Sequence, residues 1–127
     1  MTVRRPGRWA ALWALAVLVL TLMPASDVPR IGWAERLAVD KLVHAFLFGV
    51  QGILLALAFS GRPAWRRRAH PYLLALLAAV AFGALVEILQ ELMGLGRHAD
   101  VLDLLADAAG AVAGLTFLHW RGAGAAR

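Results

Sequence analysis

The sequence predicts an all-α protein, a small bundle of four transmembrane helices with both termini in the cytoplasm. Hydrophobic residues make up 61% of the 127 residues, against roughly 45–50% in ordinary soluble domains. The mean hydropathy is +0.70, and only 17% of the residues are charged. The apolar residues form four runs, which are separated by segments containing proline, glycine or arginine. A chain of this length predicts a single domain over residues 1–127.

Composition and motifs also exclude several classes of function. The chain has no cysteine, which rules out disulfides and thiol chemistry. It contains no glycine-rich phosphate loop and no H-E-x-x-H motif, and we expect no cofactor. Its net charge is +5, but the arginines stand at the ends of apolar runs, where they report membrane orientation. We therefore expect the lipid bilayer as a partner, and no nucleic acid.

The first predicted helix covers residues 9–23 and ends before Pro24. Its apolar run would be about 22 Å long, which is shorter than the ~30 Å hydrocarbon core of a bilayer. A cleaved secretory signal peptide is the alternative interpretation. Cleavage after Ala25 would place the large Met23 at the −3 position, which favours a retained helix.

Three further helices follow at residues 40–59, 72–93 and 100–120. Asp40 is the expected cap of the second helix, and Ser60 to Pro63 ends it. Gly94 and Gly96 end the third helix. The fourth begins in a charged loop and becomes apolar and rich in small residues.

Positive charges predict the orientation of the bundle. With a cytoplasmic N-terminus, nine lysines and arginines lie inside and four outside, and the Arg66–Arg68 cluster serves as an inner anchor. All eight acidic residues then lie in outer loops or in the outer halves of helices. Any functional site built from these acidic side chains is therefore expected at the outer end of the bundle.

Polar side chains recur on one face of three predicted helices. On the fourth helix, Asp100, Asp103 and Asp107 fall within a sector of about 80° together with Gly110 and Gly114. The second and third helices also place polar residues at a similar depth. The predicted cluster, an outward-facing ligand pocket, comprises Asp40, Lys41, His44, Gln51, Glu87, Gln90, Arg97, Asp100, Asp103 and Asp107.

Several interpretations of this cluster remain open. Intramembrane ionisable residues are usually functional, but a network of ion pairs that only holds the bundle together is the structural alternative. Glu87 and His44 are candidates for general acid–base chemistry, although no serine, cysteine or threonine nucleophile lies beside them. No metal site is assigned, and the weak candidates for metal ligands are His44, His98 and Asp100.

Small residues on the fourth helix indicate close helix packing. Gly110 and Gly114 form a G-x-x-x-G motif, for which packing within the chain is expected and self-association is the alternative. Ala111 is expected to point away from this packing face.

The ordered motifs resemble those of the VanZ-like family of small bacterial integral membrane proteins. The resemblance covers roughly residues 10–118, and it is carried by Asp40-Lys41-Leu42-Val43-His44, Glu87-Ile88-Leu89-Gln90 and Arg97-x-x-Asp100-x-x-Asp103. Asp107 departs from the family, which often has asparagine there. The resemblance implies a multi-pass protein of the bacterial cytoplasmic membrane and a link to teicoplanin resistance, with no particular reaction or substrate.

Together, these observations predict a non-enzymatic protein of the cell envelope. Its pocket would bind a lipid headgroup or a lipid-linked wall precursor and thereby modulate susceptibility to lipoglycopeptides. One alternative is an intramembrane acid–base transferase or hydrolase that acts on a lipid-linked substrate. The other is a structural subunit of a membrane complex.

Overall fold

The computed structural model describes residues 5–27, 32–62 and 70–125. Within these ranges the chain forms four α-helices and one short 3₁₀ helix, Ala25–Asp27, and contains no strand. The α-helices are α1, Pro6–Thr21; α2, Trp33–Ser60; α3, Pro71–Met93; and α4, Val101–Ala125. The predicted all-α, four-helix class is confirmed. The Arg66–Arg68 cluster lies outside the described residues.

Three of the helices are long and apolar enough to cross a membrane. The candidate spans are Glu35–Ser60, Pro71–Met93 and Val101–Gly122, whereas α1 has only 16 residues, about 24 Å. Large apolar side chains cover the outside of the bundle, and Leu42 is 70% exposed. Such a surface implies a lipid bilayer around the protein.

The second helix begins seven residues earlier than the sequence indicated, so the expectation that Asp40 caps it is wrong. Residues 33–39 contain neither proline nor glycine, so nothing delays the helix after Gly32. The backbone N–H of Arg36 donates to the carbonyl of Gly32 at 2.8 Å and closes the first turn. Arg36 therefore lies one helical turn before Asp40, on the same face of α2.

The other boundaries lie closer to the predicted ones. Helix α1 starts at Pro6, since proline is tolerated in the first turn, and ends two residues before Met23. Helix α3 ends at Met93 and is followed by Gly94, whose φ of 60° is left-handed and suits glycine. The Asp100 carboxylate accepts the backbone N–H of Leu102 at 2.8 Å, which caps α4.

The four helices run up and down in sequence order. Helix α2 packs most extensively against α4, and α1 rests mainly on α2. The end of α1, the start of α2, the end of α3 and the start of α4 consequently lie together. We call this the site end of the bundle.

Glycines bring α2 and α4 into backbone contact. A Cβ atom added at Gly110 would overlap the carbonyl group of Ala45, and one added at Gly114 would overlap that of Gly49. Small residues allow such close approach between helices in lipid. The expectation that Ala111 points away is wrong: it is fully buried, because α2 also offers Gly52 beside it and so covers a wider sector of α4.

Polar contacts fasten α1 to the rest of the bundle. The indole N–H of Trp13 donates to the Leu47 carbonyl at 2.8 Å. The side-chain amide of Gln90 donates to the Thr21 carbonyl at 2.8 Å. Such hydrogen bonds are important in the hydrocarbon region, because no water is present there to bind a polar group that lacks a protein partner.

Candidate functional site

A lysine joins the start of α4 to α2. The Lys41 ammonium donates to Asp100 Oδ2 at 2.6 Å and also to Asp103 Oδ1. Asp100 lies just before the membrane-spanning part of α4, and this hydrogen bond lowers the pKa of its carboxyl group below the ordinary 3.8. The three side chains therefore form a charge-assisted clamp between the two helices.

Below this clamp lies a histidine with one nitrogen engaged. His44 is 1% exposed, and its Nδ1 lies 2.8 Å from Asp107 Oδ1. Its Nε2 has no hydrogen-bond partner among the described residues and lies 3.8 Å from Asp103 Oδ2. If Nδ1 carries the proton that Asp107 accepts, a lone pair remains on Nε2.

The acidic residues of α3 hold the loop that leads into α4. Glu87 Oε2 accepts the backbone N–H of Asp100 at 2.6 Å, and Glu91 Oε2 accepts that of Ala99 at 2.9 Å. The second oxygen of Glu87 and the second oxygen of Asp107 are buried without a partner in the described part of the chain. Several acceptors in the cluster are thus unused.

A pocket opens at the site end beside this cluster. Its volume is about 210 Å³. Arg97 reaches across it, with Nη2 3.4 Å from Asp40 Oδ1. The lining residues come from the first turns of α2, the α3–α4 loop and the start of α4: Arg36, Asp40, Gly96, Arg97, His98, Asp100 and Asp103.

Comparison with models of protein families assigns the chain to one family. A family model described as VanZ/LLP1 matches residues 6–121, which is nearly the whole length. The chain belongs to the VanZ/LLP1 family. The resemblance noted in the sequence motifs is therefore confirmed. No curated protein and no solved structure matches the chain.

Two residues of the predicted cluster face elsewhere in this VanZ/LLP1 protein. Gln51 is buried, with its amide nitrogen 3.4 Å from the Ala10 carbonyl, and Gln90 binds the end of α1. Both therefore contact α1. The other eight lie in or next to the network of ion pairs and hydrogen bonds: Asp40, Lys41, His44, Glu87, Arg97, Asp100, Asp103 and Asp107.

One lining residue was missed by the sequence reasoning. A helix starting at Asp40 would leave Arg36 in the preceding loop, but α2 already includes Arg36 and places it four residues before Asp40. The signal was the absence of any helix breaker between Gly32 and Asp40.

The weak metal candidates have different surroundings in the structure. The His98 side chain is 84% exposed and lies 3.5 Å from Glu91, and Asp100 is bonded to Lys41. Among the described residues, two groups of possible ligands have donor atoms within 4.8 Å of one another, and both include His44. The first adds Asp40 and Asp103, and the second adds Glu87 and Asp107.

Proposed function

We propose that this family member binds the phosphate-bearing headgroup of a membrane lipid or lipid-linked wall precursor. The observation that carries the proposal is the pocket at the site end, which both Arg36 and Arg97 line. Arginine is suited to phosphate because its planar guanidinium group offers five N–H donors, and two of them can bind the same phosphate group in parallel. On the predicted topology this pocket faces the outside of the cell, where wall precursors are used.

The two arginines retain donors for a ligand. Arg97 has one ion pair in the described part of the chain, a single 3.4 Å contact with Asp40. Arg36 is exposed and makes no ion pair within the described ranges. A phosphate group could therefore be bound without breaking the Lys41 clamp.

The pocket volume and its surroundings favour a headgroup over a whole lipid. A volume of about 210 Å³ is below the roughly 300–1,000 Å³ of pockets that enclose drug-sized ligands. Apolar side chains lie on the lipid-facing surface nearby, and Leu42 and Val101 are 70% and 73% exposed. Acyl or prenyl chains would remain in the bilayer along this surface.

The proposal is tested with purified protein and a short-chain phosphatidic acid, compared with diacylglycerol of the same chain length. Wild type should bind the phosphate-bearing lipid more tightly, and Arg97→Gln should weaken that binding at least tenfold. Arg121→Gln is the matched control, since it removes the same charge at the opposite end of α4. Equal affinity for the two lipids, or equal loss in both variants, would contradict headgroup binding.

A cellular assay addresses the finer part of the proposal. If headgroup binding modulates susceptibility to lipoglycopeptides, expression of the chain should change teicoplanin tolerance. Arg97→Gln should abolish that change at equal protein level, whereas Arg121→Gln should preserve it. A change that persists in Arg97→Gln would separate tolerance from the pocket.

The acid–base enzyme has weaker support. Glu87 is bonded to the Asp100 backbone and His44 to Asp107, and the two candidates make no direct hydrogen bond within the described residues. Product release from the same phosphatidic acid by wild type, but not by Glu87→Gln, would nevertheless favour the enzyme.

Self-association through α4 also has weaker support than packing within the chain. The Gly110 and Gly114 face already lies against the backbone of α2. A structural subunit would therefore have to use another surface of the bundle.

A further inference from the structure

We propose that His44, Asp103 and Asp40 form a binding site for a divalent first-row metal ion such as Zn²⁺. This site lies between α2 and α4, and its donor atoms are not those of the two arginines proposed to bind the headgroup. Donor atoms of the three residues lie within 4.8 Å of one another. One imidazole nitrogen and two carboxylates form a donor set that suits such ions.

The orientation of His44 is the first argument. Its Nδ1 lies 2.8 Å from Asp107 Oδ1, and its Nε2 is buried without a partner in the described part of the chain. Metal-binding histidines commonly donate one ring N–H to a carboxylate, which directs the lone pair of the other nitrogen toward the ion. Asp107 is therefore a positioning residue, and Nε2 is the nitrogen that would bind the metal.

The spacing of the donors is the second argument. His44 Nε2 lies 3.8 Å from Asp103 Oδ2. Two ligands of a tetrahedral zinc ion, each about 2.0–2.1 Å from the metal, are about 3.3 Å apart. The two donor atoms would therefore have to approach each other by about 0.5 Å to share one ion. Lys41 does not compete for the same atom, because it donates to Asp103 Oδ1.

The local charge is the third argument. Five carboxylates lie around the position, those of Asp40, Glu87, Asp100, Asp103 and Asp107. Only Lys41 and Arg97 form ion pairs with them as permanent cations in the described part of the chain. With all five carboxylates ionised and His44 neutral, three negative charges remain uncompensated. Uncompensated charge is costly in a membrane protein, and a divalent cation neutralises two of these three charges.

Access comes from the pocket at the site end. Asp40 and Asp103 line that pocket as well as the proposed site, so an ion held between them borders the open space. Three protein ligands leave a fourth position for water or another small ligand. The ion can therefore exchange without opening the bundle.

The test measures metal binding alone. Detergent-purified protein is stripped with a chelator and titrated with Zn²⁺ by calorimetry, and Co²⁺ absorption reports the geometry. Wild type should bind one equivalent, and His44→Gln should lose binding at least 100-fold. Asp107→Asn should weaken it 10- to 100-fold through the orientation of His44. His119→Gln, an exposed histidine near the other end of α4, is the matched control and should bind as wild type.

A variant at a partly exposed ligand controls for the possibility that the variants at buried positions misfold. The Asp40 side chain is 34% exposed, so Asp40→Asn should fold and still lose affinity at least tenfold. The proposal is overturned if wild type binds less than a fifth of an equivalent. It is also overturned if folded Asp40→Asn and His119→Gln bind Zn²⁺ equally. Because no lipid is added, a negative result here leaves the headgroup assay unaffected.

Discussion

The backbone contact between α2 and α4 gives the most quantitative prediction. Replacing Gly110 with alanine would place a methyl group where the carbonyl of Ala45 already lies. A backbone carbonyl cannot rotate away as a flexible side chain would, so the two helices must separate. Overpacking of this kind costs typically 1–3 kcal/mol, and we expect the upper half of that range.

Alanine also has a higher helix propensity than glycine, by about 1 kcal/mol, and this gain offsets part of the cost. The net effect of Gly110→Ala should therefore be a loss of about 1–2 kcal/mol in the free energy of unfolding. Gly122→Ala is the matched control on the same helix, because a Cβ atom there meets no atom of the described residues within 4 Å. That variant should be neutral or slightly more stable than wild type.

The assay is unfolding in mixed micelles with increasing sodium dodecyl sulfate, followed by tryptophan fluorescence. Gly114→Ala should behave as Gly110→Ala does, because its Cβ atom would overlap the carbonyl of Gly49. If Gly110→Ala and Gly122→Ala unfold at the same detergent fraction, the contact does not limit helix approach and the reasoning is wrong.

Three further predictions concern the site end, the N-terminal helix and the orientation. Lys41 lowers the pKa of Asp100 below 3.8, so this pair stabilises the fold above about pH 4, and the stabilisation is lost as the pH falls through the lowered pKa. Asp100→Asn keeps the helix cap, but its stability should depend less on pH in the acid range than that of wild type. Identical acid unfolding curves for the two proteins would refute the pairing. Trp13→Phe removes the hydrogen bond to Leu47 and should destabilise the bundle by about 0.5–1.5 kcal/mol, whereas Trp9→Phe, at a position 55% exposed, should have no effect on unfolding in the same assay. The chain has no cysteine, so Leu95→Cys should react with an impermeant maleimide in intact cells; labelling only after lysis would reverse the predicted topology.

The sequence by itself determined the class and much of the fold. Composition and four apolar runs predicted a helical membrane protein. Gly94 indicated the C-terminal end of α3, and Asp100 indicated the start of α4. Spacing along each helix also grouped Asp103, Asp107 and Gly110 on one face. These features depend on residues close together in the chain, and local sequence is sufficient for them.

Only the tertiary structure decided which polar groups meet. Helical periodicity gives the angle of a residue on its own helix, but not how that helix is rotated or shifted against its neighbours. For this reason the sequence pattern groups Gln90 with the acidic cluster although Gln90 binds the end of α1, and it turns Ala111 away from the packing face although Ala111 is buried. The partners of Lys41 and of the two His44 nitrogens depend on the depth at which α2 and α4 cross, and that depth is set by the glycines where their backbones touch.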